Sequence, residues 1–503
     1  MAMDTVAVET AAGTVRGTIA AQIAAFKGVP YAEPPFGANL FRPPVARGRW
    51  EGVRDCTDYG PRCPQPSSGL FTDRATGEDC LSVNVWAPRG ACGLPVLFWI
   101  HGGGFLMGSN ADPGTDGTSF ARDGVVFVSC NYRLGAFGFL HAGHFDDAYG
   151  TASGAYGLAD QIAALRWTRD NIERFGGDPD NITIFGSSAG GTFVSSLLGC
   201  PDAQGLFRRA ISQSAAGAPV FGFPARYAEA VADIMLAKLG VPARDLPALA
   251  PKHILEAQSE IMSEVQRGQH PQCGRMTIPF IPLTGGDLLP RPPYDAIADG
   301  VGADVALMIG TNRDECTLYG LMEEMGASET GMSAGKWDAD PALQQRILDV
   351  YERGHKSGSP ISPEVSMASD RVFRIPSLRI AQTHQSAGGS TRVYQFGWRS
   401  PAFEGRVGAA HGIEGPFVFD DFSLPITRAL IGEQPPPSIV AAMHGAWASF
   451  AATGDPAATG QLPTWPEYAT SSRPTMMFDE TTGVRHDPDS AARKAWDDVD
   501  LRL

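Results

Sequence analysis

The chain has 503 residues, of which 43% are hydrophobic, so it can bury a large core. Its formal net charge of −15 at pH 7 argues against nucleic-acid binding, because neutralising phosphates requires clustered Lys and Arg. No apolar run reaches the roughly 18 residues of a membrane-spanning helix. Residues 1–5 lack the basic start of a secretory signal. We therefore expect no nucleic-acid or membrane partner and a cytoplasmic location, with secretion and the oligomeric state left open.

The first 200 residues alternate between strand and helix patterns. Residues 5–17 alternate and turn as in a β-hairpin. Short apolar runs bounded by Gly, Pro or Asn predict three buried strands, at 82–86, 96–100 and 125–130. Helical spacing predicts a helix over 160–171, and a strand over 182–185 leads into a helix that begins just after Ser188. This alternation is typical of an α/β fold, in which helices cover both faces of a mostly parallel sheet.

The second part of the chain interrupts this rhythm twice. Residues 221–275 and 318–375 predict helical insertions without intervening strands, and such insertions commonly cover a substrate site. The strand pattern resumes at 305–309 and 392–396, and 439–452 predicts a closing helix. No internal repeat or low-complexity linker divides the chain. We therefore predict a single domain over 1–503, with the two insertions forming part of the roof of a substrate site.

The sharpest local motif is Gly-Ser-Ser-Ala-Gly at 186–190, which matches Gly-x-Ser-x-Gly. A nucleophile held on a tight strand-to-helix turn needs small residues two positions to either side. The pentapeptide alone is a weak signal, since the frequencies of Gly and Ser give roughly 0.4 chance matches in a chain of this length. Its position between a predicted strand and a predicted helix favours Ser188 as a catalytic nucleophile over a flexible glycine turn.

A His-Gly-Gly-Gly-Phe motif at 101–105 directly follows the predicted strand 96–100. Successive glycines at a strand end let backbone N–H groups converge on one point, which stabilises the tetrahedral oxyanion of acyl transfer. We expect the donors of this oxyanion hole to be the N–H groups of Gly103, Gly104 and Ala189. An isolated glycine run would be interpreted as an ordinary turn, and the Gly-x-Ser-x-Gly motif that follows in an α/β pattern reverses that preference.

A serine nucleophile also needs a general base, and the chain has ten histidines. His411 lies in a loop after the predicted strand 392–396. In α/β-hydrolases the histidine follows the nucleophile and the acid along the chain, as His411 does here. For the acid, Asp314 and Glu315 both follow the predicted strand 305–309. The pattern alone does not choose between them.

The other histidines and the cysteines predict no metal site. The eight cysteines form no Cys-x-x-Cys pair, and His141 and His144 lie in a Gly-rich loop without a helical zinc-binding frame. We interpret His444 as a packing residue of the closing helix. Four further histidines are expected at the surface: His253, His270, His355 and His384. No metal and no organic cofactor is therefore expected.

Together these features resemble the type-B carboxylesterases, in particular their bacterial para-nitrobenzyl esterase-like members. This family also contains the cholinesterases and bacterial aryl-ester and carbamate hydrolases. The likeness extends over nearly the whole chain, with family motifs at 26–35, 78–86, 131–135, 175–190 and 205–214. It implies the α/β-hydrolase fold, with a large, mostly parallel central sheet flanked by helices and with helical insertions over the active site.

The resemblance also implies roles for single residues. It selects Glu315 over Asp314 as the acid and His411 as the base. It matches Cys63 and Cys80 to a disulfide of the family, which the reducing cytoplasm would oppose.

The chain departs from the family at a few positions. Ser187 stands where cholinesterase-like members carry an acidic residue, and the loop 64–79 contains no tryptophan, so cholinesterase activity is not expected. Cys316 replaces the glycine that usually follows the acid.

The sequence thus predicts hydrolysis of small esters, with short- to medium-chain acyl groups or aryl groups, through an acyl-enzyme on Ser188. Amide or carbamate hydrolysis by the same triad is one alternative. A non-catalytic binding protein of the same fold is another, which the filled triad positions disfavour.

Overall fold

The structure, a computed structural model, describes residues 4–67, 74–145, 149–273, 278–324, 340–355 and 359–502. The strands in this part of the chain are β1 Thr5–Glu9, β2 Thr14–Ala20, β3 Ile23–Pro30, β4 Val53–Asp55, β5 Ser82–Pro88, β6 Leu94–Ile100, β7 Val126–Cys130, β8 Gly177–Ser187, β9 Arg209–Gln213, β10 Ala306–Asn312, β11 Thr391–Phe396, β12 Pro474–Phe478 and β13 Gly483–His486. The α-helices are α1 Thr118–Arg122, α2 Gly135–Phe139, α3 Tyr156–Asn171, α4 Ala189–Leu198, α5 Gly217–Phe221, α6 Ala225–Leu239, α7 Pro251–Gln266, α8 Pro293–Ala298, α9 Thr317–Glu324, α10 Pro341–Gly354, α11 Pro363–Ser369, α12 Ile375–Ser386, α13 Gly415–Phe419, α14 Pro425–Ile431, α15 Pro437–Thr453 and α16 Ser490–Lys494.

All these strands belong to one sheet, in the order β1-β2-β3-β5-β7-β6-β8-β9-β10-β11-β12-β13, with β4 paired to β2. Every neighbouring pair from β7 to β12 is parallel. The outer pairs β1–β2, β2–β3, β3–β5, β5–β7 and β12–β13 are antiparallel. The predicted mostly parallel α/β sheet is confirmed. Its parallel strands all end at one edge, where ligands bind in open α/β folds.

Side chains of the central strands alternate between two hydrophobic cores. In β6, Phe98 and Ile100 pack on one face with residues of α3, α4 and α12, whereas Leu97 and Trp99 pack on the other face with residues of α13 and α15. A strand buried on both faces needs apolar residues at every position. This is why β6 is a continuous apolar run in the sequence.

Most predicted elements are present, several with longer bounds. The hairpin is β1–β2, the three early apolar runs are β5, β6 and β7, and the predicted strands and helices around Ser188 are β8, α3 and α4. The surface position predicted for His384 is wrong. Its imidazole is fully buried, with Nδ1 2.7 Å from Thr391 Oγ1 and Nε2 3.1 Å from the carbonyl oxygen of Gly302.

The described parts of the two insertions are helical. Helices α6 and α7 occupy the first, and α9, α10 and α11 lie in the second, with no strand among the described residues of either. Residues 274–275, 325–339 and 356–358 of the insertions lie outside the described residues. The single-domain organisation with a two-part roof stays a prediction. No helix in the described part of the chain is long and apolar enough to cross a bilayer.

A fully buried ion pair joins the turn after β7 to α3. Asp160 Oδ2 accepts from the backbone N–H and the Nε–H of Arg133, at 2.9 and 2.8 Å, and Asp160 Oδ1 accepts from Nη2 at 2.6 Å. Arg133 Nη1 donates to the carbonyl of Arg42 at 2.7 Å, and neither charged side chain is exposed. No buried side-chain nitrogen or oxygen of Arg133 or Asp160 lacks a hydrogen-bond partner, so the two charges compensate each other away from water.

We expect the Asp160→Asn substitution to lower the free energy of unfolding by about 3–5 kcal/mol, because it leaves the guanidinium of Arg133 buried without a counter-charge. Urea unfolding measures the change. The matched control is Asp180→Asn, which removes the exposed partner of Arg169 and should cost less than about 1 kcal/mol. Equal losses in the two variants would contradict this assignment of the buried pair.

Candidate active site

The backbone turns sharply at Ser188, between the end of β8 and the start of α4. Ser188 has φ 61° and ψ −124°, a conformation that costs energy for any residue with a Cβ. A Cβ at Gly186 would lie 2.6 Å from the carbonyl carbon of Gly190, and a Cβ at Gly190 would lie 2.1 Å from the carbonyl oxygen of Ile100. Both glycines of the motif are therefore required by space.

The turn is also tied to the neighbouring strands. The N–H of Ser188 donates to the carbonyl of Gln213, the last residue of β9, at 2.9 Å. Helix α4 starts at Ala189 and runs for ten residues, so its unpaired first N–H groups and the positive end of its dipole lie beside Ser188.

The glycine-rich loop after β6 lies against Ser188. A Cβ at Gly102 would lie 3.2 Å from Ser188 Cβ. Gly103 and Gly104 have φ of 110° and 62°, values that glycine adopts without strain. Neither of their N–H groups donates to another residue in the described part of the chain. The loop therefore presents free donors close to Ser188.

His411 and Glu315 form a buried hydrogen-bonded pair. His411 Nδ1 lies 2.6 Å from Glu315 Oε2, and the His411 N–H donates to the Glu315 carbonyl at 3.1 Å. Glu315 Oε1 accepts from the backbone N–H of Asn312 at 2.8 Å. Glu315 is fully buried. An imidazole that donates Nδ1–H to a carboxylate presents Nε2 as a proton acceptor.

The structure does not bring every predicted partner into hydrogen-bond contact. Ser188 and His411 are both described, and no hydrogen bond joins the Ser188 hydroxyl to the imidazole. Neighbouring residues join the turn at Ser188 to the loop of His411 instead, because Ser187 Oγ donates to Glu414 Oε1 at 3.1 Å. Catalytic hydrogen bonds are often long in unliganded enzymes and tighten when substrate binds.

Asp314, the other candidate acid, has a different set of partners. Its carboxylate accepts from Arg399 Nε at 3.0 Å and Nη2 at 3.2 Å, and from the backbone N–H of Ala409 at 3.0 Å. These contacts fix the loop that leads to His411. Of the two adjacent acidic residues, Glu315 therefore contacts the imidazole and Asp314 holds the backbone that carries it.

Aromatic side chains from the second insertion cover the imidazole. The ring centroids of Phe373 and Tyr319 lie 4.7 and 5.6 Å from that of His411. Burial lowers the pKa of His411, but the charges of Glu315 and Glu414 and the hydrogen bond to Glu315 outweigh this effect and raise its pKa above the ordinary value of 6.5.

The chain was compared with known proteins. A model of the carboxylesterase family matches residues 4–496. The para-nitrobenzyl esterase of Bacillus subtilis (strain 168) is 36% identical over 498 residues, which span 97% of each chain. A protein of Pseudarthrobacter oxydans named phenmedipham hydrolase is 34% identical over 95% of this chain and 96% of that one. A crystal structure of a Geobacillus stearothermophilus carboxylesterase at pH 6.2 has a TM-score of 0.84 at 35% identity, covering 97% of this chain and 99% of that one.

The chain belongs to the carboxylesterase family. It is therefore a carboxylic ester hydrolase with the α/β-hydrolase fold, and the sequence-based expectations of family, fold and reaction class are confirmed.

The two cysteines that the family resemblance paired are adjacent in this carboxylesterase. Cys63 and Cys80 are two buried free thiols that lie close to each other. Contact with Cys63 and burial raise the pKa of the Cys80 thiol. The disulfide is not formed in this structure, and its formation stays a prediction. Cys316 is also a buried free thiol, and its N–H donates to Ser369 Oγ at 2.9 Å.

Three further histidines of the carboxylesterase have structural contacts. His444 stacks on Phe120 with ring centroids 4.5 Å apart, as expected of a packing residue. His141 Nδ1 lies 2.9 Å from Ser153 Oγ, and His144 Nε2 lies 3.2 Å from Asp233 Oδ1. Among the residues that the structure describes, no three His, Cys, Asp or Glu side chains form a group that could hold a metal ion.

Glu414 is a member of the site that the sequence did not single out. Its fully buried carboxylate accepts from Asn312 Nδ2 at 2.6 Å, from Ser187 Oγ at 3.1 Å and from Gln213 Nε2 at 3.4 Å. Burial and the nearby charge of Glu315 raise the pKa of Glu414. Its donors come from β8, β9 and β10, so Glu414 joins the ends of three strands to the His411 loop. The sequence offered one signal that Glu414 belongs to the site, which is its position three residues after His411.

We expect the Glu414→Gln substitution to lower the pKa of His411, because it removes one of the two negative charges that hold this pKa up. The pKa is measured by NMR titration of ¹³C-labelled histidine, with the His411 signal assigned by its loss in a His411→Gln variant. Ser187→Ala is the control, since it removes a hydrogen bond to Glu414 but leaves its charge. An unchanged His411 pKa in Glu414→Gln would contradict the electrostatic role.

Proposed function

We propose that Ser188, His411 and Glu315 are the catalytic triad of this carboxylesterase. The observation that carries the proposal is the buried Glu315–His411 pair in the loops next to the strained turn at Ser188. His411 removes the hydroxyl proton as Ser188 attacks the ester carbonyl, and Glu315 orients and stabilises the resulting imidazolium. The alcohol leaves with a proton from His411. A water activated by His411 then hydrolyses the acyl-enzyme.

The N–H groups of Gly103, Gly104 and Ala189 supply the oxyanion hole in this proposal. Three observations support it: the loop of Gly103 packs against Ser188, neither glycine N–H is used elsewhere in the described part of the chain, and Ala189 is the first residue of α4. Donors fixed before the reaction stabilise developing negative charge without reorganisation, and each is worth about 10²–10³ in kcat.

The two insertions form the roof of the substrate site in this proposal. Phe373 and Tyr319 of the second insertion pack on His411, and the Ile278 side chain, just beyond the first, approaches to 3.6 Å from the position of a Cβ on Gly104. Apolar and aromatic walls suit esters with short- to medium-chain acyl groups or aryl groups. A relative named para-nitrobenzyl esterase supports an aromatic group in the substrate.

The cytoplasmic location is retained as part of the proposal.

We expect p-nitrophenyl esters to be hydrolysed with a maximum at short or medium acyl chains, in a series from acetate to dodecanoate. The Ser188→Ala variant should lose about 10³-fold or more in kcat, because no acyl-enzyme can form. Release of p-nitrophenol measures the rate, and a matched p-nitroanilide tests the amide alternative. A folded wild-type protein that cleaves no ester, or a Ser188→Ala variant with full activity, would refute the proposal.

The two acidic neighbours give a second test. Glu315→Gln should lower kcat by about 10³-fold or more, because the imidazolium loses its counter-charge. Asp314→Asn is the matched control and should keep kcat within about tenfold, because it loses only contacts to Arg399 and Ala409. The opposite ranking would identify Asp314 as the acid.

The wild-type kcat/KM should fall as the pH drops through a pKa above about 6.5, since only neutral His411 accepts the proton.

A further inference from the structure

The side chain of Gln65 binds the far end of the glycine-rich loop. Gln65 is 7% exposed, and its Nε2 donates to the carbonyl of Gly108 at 2.9 Å while its Oε1 accepts from the Gly108 N–H at 2.9 Å. Nε2 also donates to the carbonyl of Cys63 at 3.0 Å. A carboxamide offers a donor and an acceptor side by side. Gln65 therefore holds both sides of residue Gly108, as a paired strand would.

Gly108 in turn packs directly on the residues that carry the free donors. A Cβ at Gly108 would lie 2.6 Å from the carbonyl oxygen of Gly102, and a Cβ at Gly103 would lie 2.1 Å from the carbonyl oxygen of Met107. The N–H of Met107 donates to the carbonyl of Gly103 at 3.1 Å. Backbone segments in such close contact do not move independently. The position of Gly108 therefore determines the position of Gly103.

Gln65 reaches this loop from a well-anchored base. The N–H of Arg62 donates to the carbonyl of Ala75 at 3.1 Å, and the N–H of Gly77 donates to the carbonyl of Arg62 at 2.9 Å. Cys63 lies beside Cys80 in the same region. The carboxamide is therefore held between two fixed parts of the backbone.

We propose that Gln65 is a positioning residue for the oxyanion hole: by fixing Gly108 it aims the N–H groups of Gly103 and Gly104 at the oxyanion that forms on Ser188. The inference rests on the proposed function, because it requires these donors to act in acyl transfer. Gln65 does not contact the reacting atoms. Its effect is transmitted through the two close backbone contacts between Gly102–Gly103 and Met107–Gly108.

The test is the near-isosteric substitution Gln65→Met, which removes all three hydrogen bonds of the carboxamide. With p-nitrophenyl butyrate, we expect kcat per titrated active site to fall by about 10–100-fold, since small misplacement of donors weakens transition-state stabilisation. KM should change by less than about threefold. A trifluoromethyl ketone, which adds to a serine as a tetrahedral oxyanion, should lose affinity by the same factor as kcat.

The matched control is Gln204→Met. Gln204 Nε2 donates to the carbonyls of Leu198 and Cys200, at 3.2 and 2.9 Å, far along α4 from Ser188. This variant loses two side-chain donations to backbone carbonyls, as Gln65→Met does, and we expect its kcat to stay within about twofold of wild type. The inference would be overturned by equal losses of kcat in the two variants. It would also be overturned if Gln65→Met changed only KM, or if it changed neither kcat nor KM.

A second variant covers the case in which Gln65→Met does not fold. Gln65→Glu keeps the acceptor for the Gly108 N–H but, when ionised, loses both donations to carbonyls, so we expect a reduced kcat with nearly constant KM. Full kcat in this variant would also contradict the inference. Wild type and Ser188→Ala are run alongside. If wild type shows no hydrolysis that depends on Ser188, the proposed function fails. Active wild type with unaffected Gln65 variants refutes the positioning role alone.

Discussion

The strained turn at Ser188 is the constraint on which the rest of the site depends. A serine with φ of 61° is held there by contacts from the two strands next to β8: the carbonyl of Ile100 in β6 excludes a side chain at 186 and 190, and the carbonyl of Gln213 in β9 accepts the Ser188 N–H. Backbone strain of this kind costs of order 1–3 kcal/mol and persists only where the surroundings leave no alternative. The parallel strands supply those surroundings, because their ends meet at one edge of the sheet.

Electrostatics imposes a second requirement on the same region. Glu315 and Glu414 are both fully buried and both act on His411, yet only Glu315 contacts the imidazole. Two like charges close together in a poorly solvated space raise each other's pKa, and hydrogen-bond donors must offset the cost. Asn312, Gln213 and Ser187 donate to Glu414. An acidic residue at 187 would replace one of these donors with another negative charge, so the serine at 187 and the buried Glu414 suit each other.

The sequence predicted the parts of the molecule whose residue types follow directly from the chemistry or from burial. Central strands such as β6 were predictable because burial on both faces favours apolar runs, whereas the equally central β9 carries Arg209, Ser212 and Gln213 and was not predicted. The turn at Ser188 was predictable because only glycine fits at positions 186 and 190. β12 is short and begins with a proline, β13 is half exposed, and neither strand was predicted. The buried imidazole of His384 contacts the carbonyl of Gly302, 82 residues away in the chain, which no local pattern contains.

The candidate site was predictable to the same extent. Asp314 and Glu315 are adjacent in one loop, and no periodicity separates them, so family resemblance was needed to choose. Glu414 and Gln65 act through backbone and side-chain partners on other strands and loops. Nothing in their own sequence neighbourhood requires a glutamate or a glutamine. The proposed triad could therefore be named from the sequence, and the residues that hold it in place required the structure.

The irregular segments of this fold coincide with its chemistry. A π-helical segment, Asp370–Arg374, joins α11 to α12 and directs Phe373 at His411. Arg374 donates to both oxygens of Asp370 at 2.6 Å, and the Tyr351 hydroxyl donates to Asp370 Oδ2 at 2.6 Å, so the segment is fixed by a buried ion pair. π-helical turns inside helices frequently occur at functional sites. The regular strands thus provide the rigidity, and the irregular turns at 188, 103–104 and 370–374 position the groups to which we assign the chemistry.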